Sequence, residues 1–202
     1  MQIRKYVIGI YATNCYLVSD EVNRKSFIVD PAGPEPAIKD LIEKEGLSLE
    51  YMILTHGHFD HTGGIDFFKE SFPDCKLVAS RSERNFLFER KQSMGKGGIK
   101  ADIEVKDGDT LTVGDISMRF IDTPGHTPGG MCVYVESEGV LFSGDTLFHA
   151  SVGRTDLPGG DWDKLRASIA DKLFALPDDV HVLPGHDAET MIGYEKRYNP
   201  FV

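Results

Sequence analysis

The chain has 202 residues, of which 41% are hydrophobic and 27% charged, with a formal net charge of −10 at pH 7. That length suffices for one well-buried core, and the composition excludes a disordered or collagen-like chain. The acidic balance argues against nonspecific nucleic-acid binding, which needs Lys and Arg to neutralise phosphates, and no apolar run approaches the ~18 residues of a membrane helix.

In chain order, short strands are expected at Ile3–Ile10, Tyr16–Val18 and Phe27–Val29, the last ended by Asp30-Pro31. A helix follows from Pro36, with Ile38, Leu41 and Ile42 at helical spacing and Gly46 as its stop. Tyr51–Leu54 reads as a short apolar strand, and Ile65, Phe68 and Phe72 mark a second helix ended by Pro73. A strand near Leu77–Ala79 precedes a helix carrying Phe86, Leu87 and Phe88. The segment Arg90–Lys100 combines three glycines with four basic residues and reads as an exposed, solvated loop, the alternative being a lid that draws in an anion.

Strands are then expected at Ile103–Val105, Thr110–Val113, Ile116–Ile121, Met131–Val135 and Val140–Phe142. A further helix, with Asp161 as N-cap, sets Trp162, Leu165, Ile169, Leu173 and Leu176 along one stripe. A last strand, Val180–Leu183, leads into a polar terminal helix after His186, where Tyr194, Arg197 and Tyr198 read as surface. Long all-strand stretches with helices between and after favour an α+β fold of two packed sheets flanked by helices, as a single domain over residues 1–202. The opening MQIRKYVIGIYATN is too short and too interrupted in its apolar part for a signal peptide. Cys15, Cys75 and Cys132 are few, odd in number and widely spaced, which suits a reducing interior, so the expected location is cytoplasmic.

The chemistry concentrates in Thr55-His56-Gly57-His58-Phe59-Asp60-His61, directly after an apolar strand. Imidazole nitrogen and carboxylate oxygen suit zinc and other first-row divalent ions. His56 and His58, two apart in an extended turn, can point the same way, while Asp60 and His61 turn toward a second position as a helix begins. Three later segments repeat one design: a strand, then a glycine, then one ligand-type residue. They are Ile121 before Asp122-Thr123-Pro124-Gly125-His126, Phe142 before Ser143-Gly144-Asp145, and Leu183 before Pro184-Gly185-His186. Rigid strands aim such loops, and glycine lets the backbone turn tightly beside a metal. His149 and His181 lack this context; His149 is a candidate support residue four positions past Asp145, and His181 reads as packing or surface.

The run HxHxDH with the later His126, Asp145 and His186 resembles the metallo-β-lactamase superfamily over essentially the whole chain. The resemblance implies a four-layer αββα sandwich with the site at one edge of the sheets. It also implies two divalent ions, zinc first, with iron or manganese as alternatives. One would take His56, His58 and His126, the other Asp60, His61 and His186, with Asp145 as the bridge. Many zinc β-lactamases have cysteine where Asp145 stands, and the flavodiiron branch has glutamate where His58 stands, which narrows the branch. The passages Thr123-Pro124-Gly125-His126-Thr127-Pro128-Gly129, Ser143-Gly144-Asp145-Thr146-Leu147-Phe148 and Asn199-Pro200-Phe201 look most like the glyoxalase II-like group. Here the chain ends where a C-terminal glutathione-binding helical domain would start, as in short bacterial single-domain members, and it carries their Gly153-Arg154-Thr155-Asp156 segment.

That likeness implies hydrolysis of a hydroxyacyl-glutathione or other small thioester by a metal-bound hydroxide, with Asp60 and Asp145 as the catalytic carboxylates. Two ions about 3.5–4 Å apart would hold and acidify the attacking water. Arg154 is the candidate substrate anchor, since a guanidinium grips a carboxylate bidentately, against the alternative of a structural pair with Asp156. Persulfide dioxygenases, single-iron relatives, share the Gly-Arg-Thr-Asp segment and most of the ligands, and supply the competing activity. Lactone or ester hydrolysis and a noncatalytic metal-binding role are the remaining alternatives. The expected partner is a small-molecule thioester, with neither nucleic acid nor membrane, and the oligomeric state is left open.

Overall fold

The computed structural model describes residues 1–89, 94–95 and 97–202. Of the expected loop over Arg90–Lys100, residues 90–93 and 96 lie outside the described residues. The first sheet has six strands in sequential order: β1 (Gln2–Ile8), β2 (Thr13–Asp20), β3 (Lys25–Val29), β4 (Ser48–Ile53), β5 (Lys76–Ser80) and β6 (Ile103–Val105). β1 to β3 pair antiparallel, whereas β3 to β6 run parallel because α1 (Pro36–Glu45), α3 (Ile65–Ser71) and α4 (Arg84–Phe88) occupy the crossovers.

The second sheet takes β7 (Thr110–Val113), β8 (Ile116–Asp122), β9 (Met131–Val135), β10 (Val140–Gly144), β13 (His181–Pro184) and β14 (Thr190–Met191), ordered β14-β13-β10-β9-β8-β7. A small hairpin of β11 (Leu147–Phe148) and β12 (Ser151–Val152) stands apart. Neither that hairpin nor β14 was expected; two residues are too few to show a periodic pattern.

Alternation along the strands explains the layering. Tyr16, Val18, Phe27, Val29, Ile53 and Val78 of the first sheet meet Met118, Phe120, Val133, Val135 and Phe142 of the second in one buried cluster between them. The alternate residues Leu17, Ile28, Met52 and Leu77 face outward onto Ile38 and Ile42 of α1 and Phe68 of α3. Cys132, Tyr134, Leu141 and Val182 face the opposite way, onto Leu165, Ile169 and Leu173 of the helix after Asp161 and Ile192 of α6 (Ile192–Tyr198). Helix, sheet, sheet, helix: the expected four-layer sandwich is the fold.

α1 begins with Pro36, is capped by Glu35 through Ala37 N at 3.2 Å, and ends at Gly46 with φ 61°, as its residues dictate. The later helix α5 (Trp162–Ala167) starts at Asp161, whose side chain accepts from Lys164 N at 3.1 Å. It continues through wider turns over Ser168–Leu173, where Phe174 N bonds Ile169 O. A four-residue repeat fits those turns, so Leu165, Ile169 and Leu173 are buried together. Trp162, three before Leu165, falls off that line and is 40% exposed, which corrects the expected stripe.

The C-terminal ends of β3, β4, β8, β10 and β13 open at one edge, and the loops there carry the ligand-type residues. Phe142 anchors the sheets beneath this edge, fully buried and in edge contact with Tyr16 and Phe27 at 5.3 and 6.5 Å. Phe142→Ala is expected to lower unfolding free energy by about 3–5 kcal/mol, read from denaturant midpoints; a loss below about 1 kcal/mol would mean that the sheets do not depend on this contact.

Candidate metal centre

β4 ends at Ile53, and after Leu54 the chain bends at Thr55 and His56 and reaches His58 in extended conformation before α2 (Phe59–Thr62) begins. His58 is the helix N-cap, so Asp60 and His61 swing to the other side of the turn. His126 arrives from the loop after β8, Asp145 directly after β10, and His186 from the loop after β13. Glycine permits the close approach: a side chain on Gly185 would overlap Asp145 Oδ1 and crowd His61, and one on Gly144 would overlap Thr55.

The donor atoms of His56, His58 and His126 lie within 4.8 Å of one another, and so do those of Asp60, His61 and His186. Asp145 stands between the two groups, Oδ2 at 3.5 Å from both His126 Nε2 and His186 Nε2, and Oδ1 at 3.4 Å from His61 Nε2. All seven expected residues thus converge at one place. His56 Nε2 and Asp145 Oδ1 are buried without a hydrogen-bond partner, although burial normally demands one. Their N and O donor set suits zinc, iron or manganese, and the residues fit the pair of divalent ions that the motif implied.

In four of the five rings, His56, His61, His126 and His186, the nitrogen that faces away is bonded. His61 Nδ1 bonds Asp30 Oδ2 at 2.9 Å, and His56 Nδ1 bonds Thr55 Oγ1 at 3.1 Å. His126 Nδ1 donates to the Arg154 carbonyl at 2.7 Å, and His186 Nδ1 to the Tyr11 carbonyl at 3.0 Å. Each bond fixes its ring so that Nε2 faces the centre. His58 instead turns Nδ1 inward, 2.9 Å from His126 Nε2. Asp30 also groups with His56 and His61, but its oxygens already accept from Thr55 N, Thr55 Oγ1 and His61, which marks it as support.

Charge divides the centre into unlike halves. Burial, reinforced by the neighbouring rings, pulls His56 well below the ordinary imidazole range, and burial takes His58 to about 4 and lowers His126. Burial also opposes charge on His61 and His186. There the carboxylates win: Asp145, Asp30 and Asp60 lift His61 to about 9, and Asp145 and Asp60 lift His186 to about 10. Burial works against the Asp145 carboxylate too, yet His61, His186 and His126 hold it well below the usual range.

The remaining candidates sort clearly. Arg154 borders the cavity, but its guanidinium is held bidentately by Asp156, Nε and one terminal nitrogen each at 2.7 Å, so its backbone carbonyl is the part that touches the centre. His149 stacks on Tyr194 at 5.0 Å, away from the ligands, and His181 is exposed. Tyr194 and Tyr198 are exposed on α6, and Arg197 pairs with Asp178. Sequence reasoning missed Asp30, Thr55, Glu83 and the carbonyls of Tyr11 and Arg154. Of these, Asp30 had a sequence signal, the Asp30-Pro31 step that ends a strand; its left-handed φ of 52° shows only in the fold.

The sequence profile described as "Metallo-beta-lactamase superfamily" matches residues 8–186. The chain belongs to that superfamily. It is 35% identical over 210 residues to the hydroxyacylglutathione hydrolase GloC of Haemophilus influenzae, covering 100% of this chain and 98% of that one. It is 31% identical over 186 residues to the mitochondrial persulfide dioxygenase ETHE1 of Homo sapiens, covering 92% and 68%. The crystal structure of the BLEG-1 B3 metallo-beta-lactamase superposes with TM-score 0.91 at 34% identity, over 99% of both chains. These relatives carry different activities: GloC and BLEG-1 match this chain over nearly their whole length, ETHE1 over 68% of its own.

Because ligation requires neutral imidazoles, the two halves load differently. At pH 7 His58, His56 and His126 are neutral, whereas His61 and His186 hold protons up to about pH 9 and 10. Loading the three-histidine half should release almost no protons. Loading the other half should release them at pH 7 and tighten as pH rises toward 9. Calorimetric zinc titration of the metal-free protein in buffers of different ionisation heat measures this; equal proton release from both steps would contradict it.

Proposed function

We propose that this chain is a thioesterase of the hydroxyacylglutathione hydrolase type, cleaving a hydroxyacyl-glutathione or related small thioester to a hydroxy acid and a thiol. The observation that carries the reading is the pair of complete donor groups meeting at Asp145. His56, His58 and His126 would hold one divalent ion and Asp60, His61 and His186 the other, with Asp145 shared; zinc is the first choice, iron or manganese the alternatives. When bound, the ions would supply Lewis acidity and a water acidic enough to attack at neutral pH.

The chain's own groups do the rest. Asp60, held by the Thr13 hydroxyl at 3.2 Å, faces the cavity and would orient the attacking water. The cavity, about 390 Å³, is lined by Tyr11, Phe59, Met94, Phe148 and Leu157, which offer an apolar wall to the acyl group. Arg154 is the anchor for a substrate carboxylate. Its pair with Asp156 is solvent-exposed, and such pairs are weak enough to exchange for a ligand. Three buried thiols without a disulfide support a cytoplasmic setting. Among the described residues no helix is long and apolar enough to cross a membrane.

A second reading, an iron-dependent persulfide dioxygenase, is favoured by the likeness to human ETHE1 over most of this chain. Oxygen chemistry needs a redox-active ion, whereas hydrolysis works with zinc. Full-length likeness to GloC and a fully furnished second half weigh toward hydrolysis. Metal analysis of protein purified without added metal, with parallel assays, separates the two. Hydrolysis predicts anaerobic cleavage of S-D-lactoylglutathione, abolished in Asp145→Ala together with the loss of at least one ion, and a raised KM in Arg154→Ala. Oxygen uptake with glutathione persulfide and no anaerobic cleavage would overturn the proposal.

A further inference from the structure

Glu83 is a carboxylate with 1% of its surface exposed, in the turn that leads into α4. Its Oε1 accepts from Gly57 N at 2.9 Å, and its Oε2 accepts from Gly129 N at 2.6 Å. Gly57 lies between His56 and His58; Gly129 lies three residues after His126 in the loop beyond β8. Among the described residues no Lys, Arg or His within ion-pair distance balances the carboxylate; burial lifts it to about 7, and the two amide bonds offset that only in part.

The surroundings leave little play. A side chain on Gly57 would sit 2.9 Å from both Phe86 and Leu87 of α4, and one on Gly129 would overlap the Glu83 backbone. The Phe86 ring meets the His58 ring edge-on at 5.4 Å. A second tie, Met131 N to Thr55 O at 2.8 Å, joins the same two loops at their strand ends. The opposite half hangs on different supports: Thr13 for Asp60, Asp30 for His61 and Tyr11 O for His186.

We propose that Glu83 is the positioning residue of the three-histidine half: its two-pronged carboxylate sets the separation of the His56–His58 turn from the His126 loop. Occupancy of that half depends on Glu83, and occupancy of the Asp60, His61 and His186 half does not. The inference rests on the two-half reading of the centre given above, not on the substrate. The carboxylate is needed as such, because an amide of the same size keeps one acceptor and turns an NH2 group against the other backbone N–H.

The test is zinc titration of metal-free protein against a chromophoric chelator. Glu83→Gln is compared with its parent in a His186→Ala chain, which retains the three-histidine half, and in a His126→Ala chain, which retains the other. Affinity should fall roughly 10–100-fold in the first background and stay unchanged in the second. Equal loss in both, or no loss in the first, overturns the role of Glu83; a brace serving stability alone would lower the unfolding temperature without splitting the affinities. If the unaltered protein takes up no zinc, the two-half reading falls with it, whereas two zincs without asymmetry sink only the Glu83 proposal. Should Glu83→Gln fail to fold, amide exchange in the unaltered metal-free protein decides: Gly57 and Gly129 must be protected together, and fast exchange of either contradicts the brace.

Discussion

Everything in the centre depends on what holds each imidazole from behind. Rings that must turn bare nitrogens toward one another gain nothing from convergence until a cation joins them. Their orientation therefore has to be fixed elsewhere in the structure. The Tyr11 and Arg154 carbonyls, Thr55 and Asp30 supply that hold through the outward Nδ1 atoms of His186, His126, His56 and His61. The sandwich matters to function because parallel strand ends in two sheets deliver these groups to one edge.

The two halves solve the problem with different chemistry. On one side three rings are kept neutral by burial, so a divalent ion meets open lone pairs. On the other, Asp60, Asp145 and Asp30 surround His61 and His186 and keep protons on them until a stronger cation takes their place. Behind each half sits a buried carboxylate with no ligand role of its own. Asp30 ties Thr55 to His61, and Glu83 joins the two loops of the three-histidine half. Pinning from the rear with backbone carbonyls and hydrogen-bonded carboxylates leaves the inward faces of the rings to the ions.

Much of this was legible in the residues alone. His56, His58, Asp60 and His61 announced themselves by density, and His126, Asp145 and His186 by the glycine before each. Two packed sheets flanked by helices followed from the order of strands and helices, and neighbours such as Tyr16 and Leu17 or Phe27 and Ile28 pack on different layers, but the strand order within each sheet came only with the fold. What stayed hidden has physical reasons. A backbone carbonyl such as that of Tyr11 or Arg154 leaves no trace in residue type. Glu83 stands among Arg81, Ser82 and Arg84, where a carboxylate looks like solvated helix surface until the fold shows what covers it. Arg154 shows both kinds of signal: its side chain drew notice as a substrate anchor, while its carbonyl, which holds His126, left none.

The central claim is that two donor groups meet at Asp145 to hold a pair of ions, and anomalous diffraction from a crystal grown with zinc tests it most directly. The account predicts two peaks about 3.5–4 Å apart, one within ligand distance of His56, His58 and His126, the other of Asp60, His61 and His186, with Asp145 reaching both. No peak at this edge of the sandwich, or peaks bound by other residues with these side chains turned apart, would contradict it.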